Sequence, residues 1–314
     1  MIDTFNIVDG SQNRQVFLPN GVNSFYSWIK PQNCQFVHFF ILGGGGGGGG
    51  GQGGGTGTAR RGGGSGASSA GMNALVPASY LPDILFIQVG SGGSAGIGGT
   101  TNSNGGAATL SYVIVTPDTG KTATNVLYQS GTAAAGGGAS GLNGGTAGTQ
   151  GTLWSESSGV FSEFSLVPSF DGLAGVLGQT TATPNSITIS GITTPGAAGA
   201  GMNGGTALAG GSVIAGGNIP TMSGGTAGGS ATNTTPGGNG SGAYMSFNPN
   251  SVGYSTQPLV FLGGAGGGSS DGGAGGQGGH GAYGSGGGGG GAGITNQGGN
   301  GGRGGDGLVI ITYW

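Results

Sequence analysis

The sequence predicts an all-β and irregular fold with essentially no α-helix. The expected architecture is a small β-sheet base formed by the N- and C-terminal strands. From it would extend a bundle of polyglycine type II helices, the glycine form of polyproline II, carrying aromatic loops. Three observations predict this. Glycine supplies 88 of 314 residues, several times its usual share of roughly 7%. It is unevenly placed, with 17 glycines among residues 43–66 and 27 among residues 263–307, but only 5 among residues 153–195. Charged residues make up only 5% of the chain, so the Glu and Lys that cover exposed helix faces are nearly absent.

The apolar segments between the glycine tracts read as strands. Residues 35–42, Gln-Phe-Val-His-Phe-Phe-Ile-Leu, are apolar on both faces, as in a strand covered from two sides. Residues 83–89 and 109–115 are rich in β-branched and aromatic side chains. Thr116-Pro117-Asp118-Thr119-Gly120 supplies turn chemistry, so residues 122–129 should return as the second arm of a hairpin. Residues 258–262 and 308–314 complete the set. The chain thus divides into an N-terminal β segment, 1–42, a polyglycine-helix domain, 43–307, and a C-terminal strand, 308–314, that pairs with the base. Within the middle region the hairpin lies near 109–129 and the aromatic loops near 153–170 and 243–261. A six-residue repeat, Leu142-Asn-Gly-Gly-Thr-Ala147, recurs from Met202 and, with Ser for Asn, from Met222.

The glycine tracts could be flexible linker. A floppy chain exposing Phe- and Ile-rich strands would aggregate, however. The alternative is a bundle of extended helices with three residues per turn, which have no internal hydrogen bonds and point every N–H and C=O outward. Without Cβ atoms neighbouring helices can pair those groups. At about 3.1 Å per residue the glycine run 43–51 would extend roughly 28 Å. Thr, Ala, Ser and Asn between the glycines should lie on the bundle's outer faces.

Composition also bounds function. A net charge of −3 and no basic cluster beyond Arg60-Arg61 argue against a nucleic-acid surface. One cysteine, Cys34, excludes a disulfide framework. No apolar run reaches the roughly 20 residues that span a bilayer, so membrane insertion is not expected. The N-terminus does not read as a secretory signal, which suggests assembly in a cytoplasm and release by lysis, with an extracellular location as the alternative.

Three places carry a resemblance. Trp28-Ile-Lys-Pro31 and the strand 35–42 run at once into polyglycine. Ile87-Gln-Val-Gly-Ser-Gly-Gly93 is a strand breaking into glycine. The chain ends Gly304-Gly-Asp-Gly-Leu-Val-Ile-Ile-Thr-Tyr-Trp314. This pattern resembles the glycine-rich virion proteins and tail-fibre adhesins of tailed bacteriophages. The resemblance implies a sandwich of polyglycine helices displaying loops that bind a bacterial surface receptor, a glycan or an outer-membrane protein. The apolar ends suggest assembly with itself or with other virion proteins. A purely structural role is the alternative: a capsid decoration, head fibre or filament subunit without receptor binding.

No catalytic, cofactor or metal set is expected. Gly120-Lys121-Thr122 lacks the first glycine of a phosphate loop, Val115 standing there, and reads as the hairpin turn. His38 and His280 lie in a strand and a glycine tract. Asp271 and Asp306 are the residual calcium candidates, with only one nonapeptide-like copy at 301–309. Two aromatic groups stand out: Trp154, Phe161 and Phe164 with Phe170, and Tyr244, Phe247 and Tyr254. Rigid, half-polar aromatics beside Ser and Asn suit recognition. Trp154, Phe161, Phe164, Tyr244, Phe247 and Tyr254 are therefore the receptor-binding candidates, the alternative being an apolar cap on the bundle ends.

Overall fold

The computed structural model describes residues 2–6, 13–21, 23–117, 125–131, 133–139, 170–179, 186–189, 191–214, 221–243, 245–247 and 259–314. Among them there is no α-helix, only one 3₁₀ turn at Ala78–Tyr80. Two sheets form the base. The first contains β1 (Ile2–Asn6), β2 (Asn13–Phe17), β4 (Phe36–Leu42), β5 (Gly71–Pro77) and β9 (Leu308–Tyr313), in the order β1-β2-β9-β4-β5. The second contains β3 (Tyr26–Ile29), β6 (Ile84–Gln88), β7 (Tyr112–Ile114) and β8 (Val126–Gln129), in the order β3-β6-β7-β8.

The C-terminal strand is the centre of the first sheet. It pairs antiparallel with β2, Val309 opposite Phe17, and with β4, Leu308 opposite Leu42. The expected pairing of 35–42 with 308–314 is thus present. The base is larger than the two termini, because β5, β6, β7 and β8 are contributed from within the glycine-rich region. β7 and β8 form the expected hairpin, with Val113 opposite Tyr128.

Alternation along β4 explains the packing. Val37, Phe39 and Ile41 are fully buried between the sheets, where they join Leu85, Ile87, Val113, Leu127, Tyr128 and Trp28. The rings of Phe39 and Tyr128 lie 5.5 Å apart. Each such buried side chain contributes about 1.5–3 kcal/mol. The opposite face of β4 is half-buried, with Phe40 against Phe170 at 6.3 Å. His38 sits on that face, in a row with Thr312 of β9 and Arg14 of β2.

The strands run straight into glycine. Along residues 44–52 every N–H finds a partner outside its own segment, with a period of three. Gly44, Gly47 and Gly50 donate to Thr109, Gly106 and Ser103. Gly45, Gly48 and Gly51 donate to Gly305, Gly302 and Gly299, and Gly46, Gly49 and Gln52 to Ala67, Gly64 and Arg61. The N···O distances are 2.8–3.1 Å. The carbonyls behave alike. Gly45, Gly48 and Gly51 accept from Gly93, Gly96 and Gly99. Gly46, Gly49 and Gln52 accept from Gly287, Gly290 and Gly293, and Gly47 and Gly50 from Gly136 and Ala139. Three donating directions and three accepting directions define six neighbours around one helix. None of residues 43–52 has positive φ, so this is the left-handed, three-residue-per-turn helix expected from the sequence.

Order in the sheets persists in the glycine. β9, β4 and β5 are adjacent, and so are their continuations 299–305, 44–52 and 61–67. β6, β7 and β8 continue as 90–99, 103–110 and 133–139, bonded in the same order. The two layers of the sandwich then bond to each other, which strands cannot do. Segments 285–293 and 263–270 repeat the arrangement. The former contacts 44–52, 61–67, 194–200, 264–270, 276–279 and 299–305.

The Cβ positions are the reason for glycine. A methyl group on Gly48 would stand 2.0 Å from the Gly288 carbonyl oxygen. On Gly49 it would meet that of Gly137 at 2.1 Å, and on Gly50 that of Ile97 at 2.0 Å. All three faces of this helix are closed to side chains. Helices at the periphery keep one open face, and there every third residue has room for a side chain. Gln277 and His280, and Gln297, Asn300 and Arg303, follow this spacing and are exposed.

The expectation that Thr, Ala, Ser and Asn between the glycines lie outside needs correction, because Ala67, Ala197, Ala200, Ala265 and Ala292 are fully buried within the bundle. Ser65, Ser68, Ser269 and Ser285 are fully buried. Their hydroxyls accept from the N–H groups of Val176, Leu173, Leu208 and Thr194. They act where a neighbouring helix stands one short side chain further away. The sequence repeat is likewise not one structural unit. In the Met202 copy Gly204 and Gly205 have φ of 51° and 100° and turn a two-residue hairpin. In the Met222 copy Gly225 donates to Gly266 inside the bundle. The Leu142 copy lies outside the described residues.

Gly48→Ala is expected to destabilise the fold by about 3 kcal/mol or more, the upper range for overpacking. Gly242→Ala, where a methyl group meets nothing within 4 Å, should change stability by less than about 1 kcal/mol. Denaturant titration of both variants checks this. A second outcome concerns pH. Burial, with the Arg14 charge nearby, holds the His38 imidazole below its ordinary value of 6.5. The unfolded chain therefore binds the extra proton first, and stability falls as pH drops below about 6.5. Thermal melts from pH 7.5 to pH 5 should show this fall, and His38→Gln should reduce it.

Candidate functional site

The receptor candidates distribute unevenly over the structure. Trp154, Phe161, Phe164, Tyr244 and Tyr254 lie outside the described residues. Phe247 falls in Met245–Phe247, which pairs antiparallel with Leu259–Phe261, Phe247 opposite Leu259. Segment 235–243 runs toward the base, and segment 262–270 runs away from it. The described flanks of the second aromatic segment therefore both meet the bundle at its base end. Phe261 lies there, fully buried with Leu42, Ile192 and Leu308 and edge-on to Tyr283 at 6.1 Å. In the first group Phe170 is described. Its backbone bridges Gly71 and its ring covers Phe40, so this residue is an apolar cap.

Opposite the base, the bundle ends in short turns. Thr56, Thr58, Thr100, Thr101, Thr232, Thr234, Thr295 and Asn296 are exposed there, forming a hydroxyl-rich end face. Two such side chains from separate turns join, Thr100 Oγ1 to Asn296 Oδ1 at 2.6 Å. Beneath this face lies a buried ion pair, Arg60 with Asp271, each 1% exposed. Arg60 also donates to the carbonyls of Gly293, Gly54 and Thr58. Asp271 accepts from the Gly57 N–H at 2.9 Å. Burial lowers the Arg60 guanidinium from its ordinary value and the Asp271 carboxylate opposes this. The pair ties three turns together: 54–58, 271 and 293.

Asp271 and Asp306 are the residual calcium candidates of the sequence. Asp271 is committed to Arg60. Asp306 accepts from the Gly92 N–H and from Arg303, both at 2.8 Å. The ion pair was not anticipated. Its signal was present, since an isolated aspartate deep in a glycine tract needs a cation to be buried.

One long face is built from the outermost helices, 235–243, 274–282, 297–307, 90–99 and 103–109, bonded in that order. Its side chains serve the backbone. Asn300 accepts from the Gly98 N–H at 2.9 Å, Asn239 from Gln277 at 2.9 Å, and Asn104 from Gly138 at 2.7 Å. Ser103 accepts from Ile97, Thr109 from Ser91, and His280 Nδ1 from Arg303. Short acceptor side chains therefore satisfy N–H groups that no neighbouring carbonyl reaches. This accounts for the Asn, Ser and Thr between the glycines without recourse to a ligand.

No helix among the described residues is long and apolar enough to cross a membrane. The pattern of a family described as a glycine-rich domain matches residues 21–258, about three quarters of the chain. No curated protein matches it.

Asp271→Asn should cost about 3–5 kcal/mol, because it leaves Arg60 buried without its counter-ion. The double variant Arg60→Met, Asp271→Leu should cost less than that single change. Urea midpoints of the two proteins make the comparison.

Proposed function

The chain belongs to the glycine-rich domain family, and we propose that it is a non-enzymatic attachment protein of a bacteriophage particle. In this reading the glycine bundle is a rigid mount, and the inserted aromatic segments contact a receptor on the bacterial surface. The observation that carries the proposal is the six-neighbour bonding of residues 44–52. A bundle bonded in three directions holds its ends fixed relative to each other, and loops can vary without disturbing it. Recognition on a rigid support loses less entropy on binding than recognition on a flexible one.

The aromatic composition of the inserts supports the same reading. Trp154, Phe161, Phe164, Tyr244, Phe247 and Tyr254 stand among Ser, Asn and Gly, a mixture that supplies flat apolar contact and adaptable hydrogen bonds. The partner is then a surface glycan or an outer-membrane protein, and other virion proteins hold the chain in the particle.

Binding of the fluorescently labelled full chain to a panel of bacterial strains tests this. At least one strain should be decorated. Trp154→Ala, Tyr244→Ala and Tyr254→Ala should each lower affinity about tenfold or more, as central aromatic contacts do, with unchanged melting temperature. Gln277→Ala, on the long bundle face, should bind normally. Binding to no strain, or undiminished binding by all three aromatic variants, would contradict the proposal and leave a purely structural role.

A further inference from the structure

The base carries an open sheet edge. Among the described residues β3 is the outer strand of its sheet, pairing only with β6. Lys30 donates to the Asp83 carbonyl at 2.8 Å, and Tyr26, Ser27, Trp28 and Ile29 stand opposite Ile87, Phe86, Leu85 and Ile84. Alternation in an antiparallel pair then directs the N–H and C=O of Trp28 and Tyr26 to β6, and those of Ser27 and Ile29 away from it. Among the described residues neither Ser27 nor Ile29 makes a backbone hydrogen bond on that outer side. Both are exposed, Ile29 to 68%. Beside Ile29 its cross-strand neighbour Ile84 is 46% exposed. Natural edges are usually blunted by charge, proline or a bulge, and Tyr26–Ile29 has none of these.

We propose that this edge pairs with the same edge of a second copy, giving a closed twofold dimer with one continuous sheet of eight strands. A twofold axis at Trp28 sets Ser27 of one copy against Ile29 of the other, and the reverse. Both are residues with outward N–H and C=O, so the edge complements itself. Each Ile29 then joins the exposed Ile84 in an apolar strip across the junction. Charge does not oppose the pairing, because Lys30 and Asp83 already neutralise one another at 3.1 Å. Pro31 ends the strand and limits the match to these few residues. The opposite edge strand, β8, is buried throughout, so the sheet cannot grow further, and an isologous contact closes the assembly rather than starting a filament. This inference does not depend on receptor binding.

Sedimentation of the full chain over a wide concentration range is the test. The native protein should be a dimer that dissociates on dilution. Ile29→Lys, which places a charge on the edge, should be monomeric with the native melting temperature. Ser27→Pro, which removes an N–H that makes no bond among the described residues, should behave likewise. Hydrogen exchange of the native protein gives a readout free of any folding defect in the variants. The Ser27 and Ile29 amides should be protected at high concentration and exchange freely when dilute. A monomer at all concentrations, a trimer, a dimer that persists in both variants, or exchange at Ser27 and Ile29 indifferent to concentration would each overturn the proposal.

Discussion

The absence of a Cβ atom is the constraint on which this structure depends. A β-strand directs its hydrogen bonds to two sides, within one plane. A three-residue helix directs them to three donating and three accepting sides, so bonding can extend through a volume. Space for it exists only where little or nothing projects from the backbone. At Gly48, Gly49 and Gly50 the place a methyl group would take is already close to a neighbour's carbonyl oxygen. One buried hydrogen bond contributes only about 1 kcal/mol net, similar to the entropy lost in fixing one residue's backbone. A single helix of this kind is therefore not stable. Helices such as 44–52, 263–270 and 285–293, bonded on every side, are the stable centre, and those around them complete it.

The β-base solves the problem of starting such a bundle. Nothing in polyglycine distinguishes one register from another, because every residue is the same. Side chains of β4, β5 and β9 impose the order through Val37, Phe39, Ile41, Ala74, Val76, Val309 and Ile311, all fully buried. Their glycine continuations inherit that order. Side chains reappear at the periphery, where Asn300, Asn239, Asn104 and His280 accept N–H groups that lack a carbonyl. Arg60 and Asp271 do the corresponding work at the end face, joining turns from distant parts of the chain. Residues that look like ligand contacts by composition thus have structural duties.

Much of this was legible in the residues themselves. Glycine content, the scarcity of Glu and Lys, and the doubly apolar run 35–42 sufficed for the base, the pairing of the ends and the helix type. The hairpin at β7 and β8 followed from Pro117 and its turn. Other features were hidden. Residues 71–77 show Asn73 and Gly71 in a segment that pairs along its whole length with β4, and tertiary pairing rather than propensity makes it a strand. Buried Ser65 and Ser68 are indistinguishable in sequence from exposed Ser94, because burial depends on which helices surround them. The Met202 and Met222 copies of one motif take different conformations for the same reason. Of the candidate site, the sequence pointed to the two aromatic groups. The structure places Phe170 as a cap and Phe261, where the second aromatic segment rejoins the described bundle, in the apolar cluster at the base end.

Amide hydrogen exchange along segments 44–52 and 103–110 tests the central claim most directly. The account predicts protection of every amide from Gly44 to Gln52, since each donates to a neighbour. In the outer segment it predicts that Asn104, Ala107 and Leu110 exchange rapidly, while Ser103, Gly105, Gly106, Ala108 and Thr109, which donate to Ile97, Gly136, Ser94, Ala133 and Ser91, are protected. That period of three belongs to this helix alone. An alternation of two would mean an edge strand, and uniform rapid exchange in both segments would mean a linker. Either result would contradict the bundle.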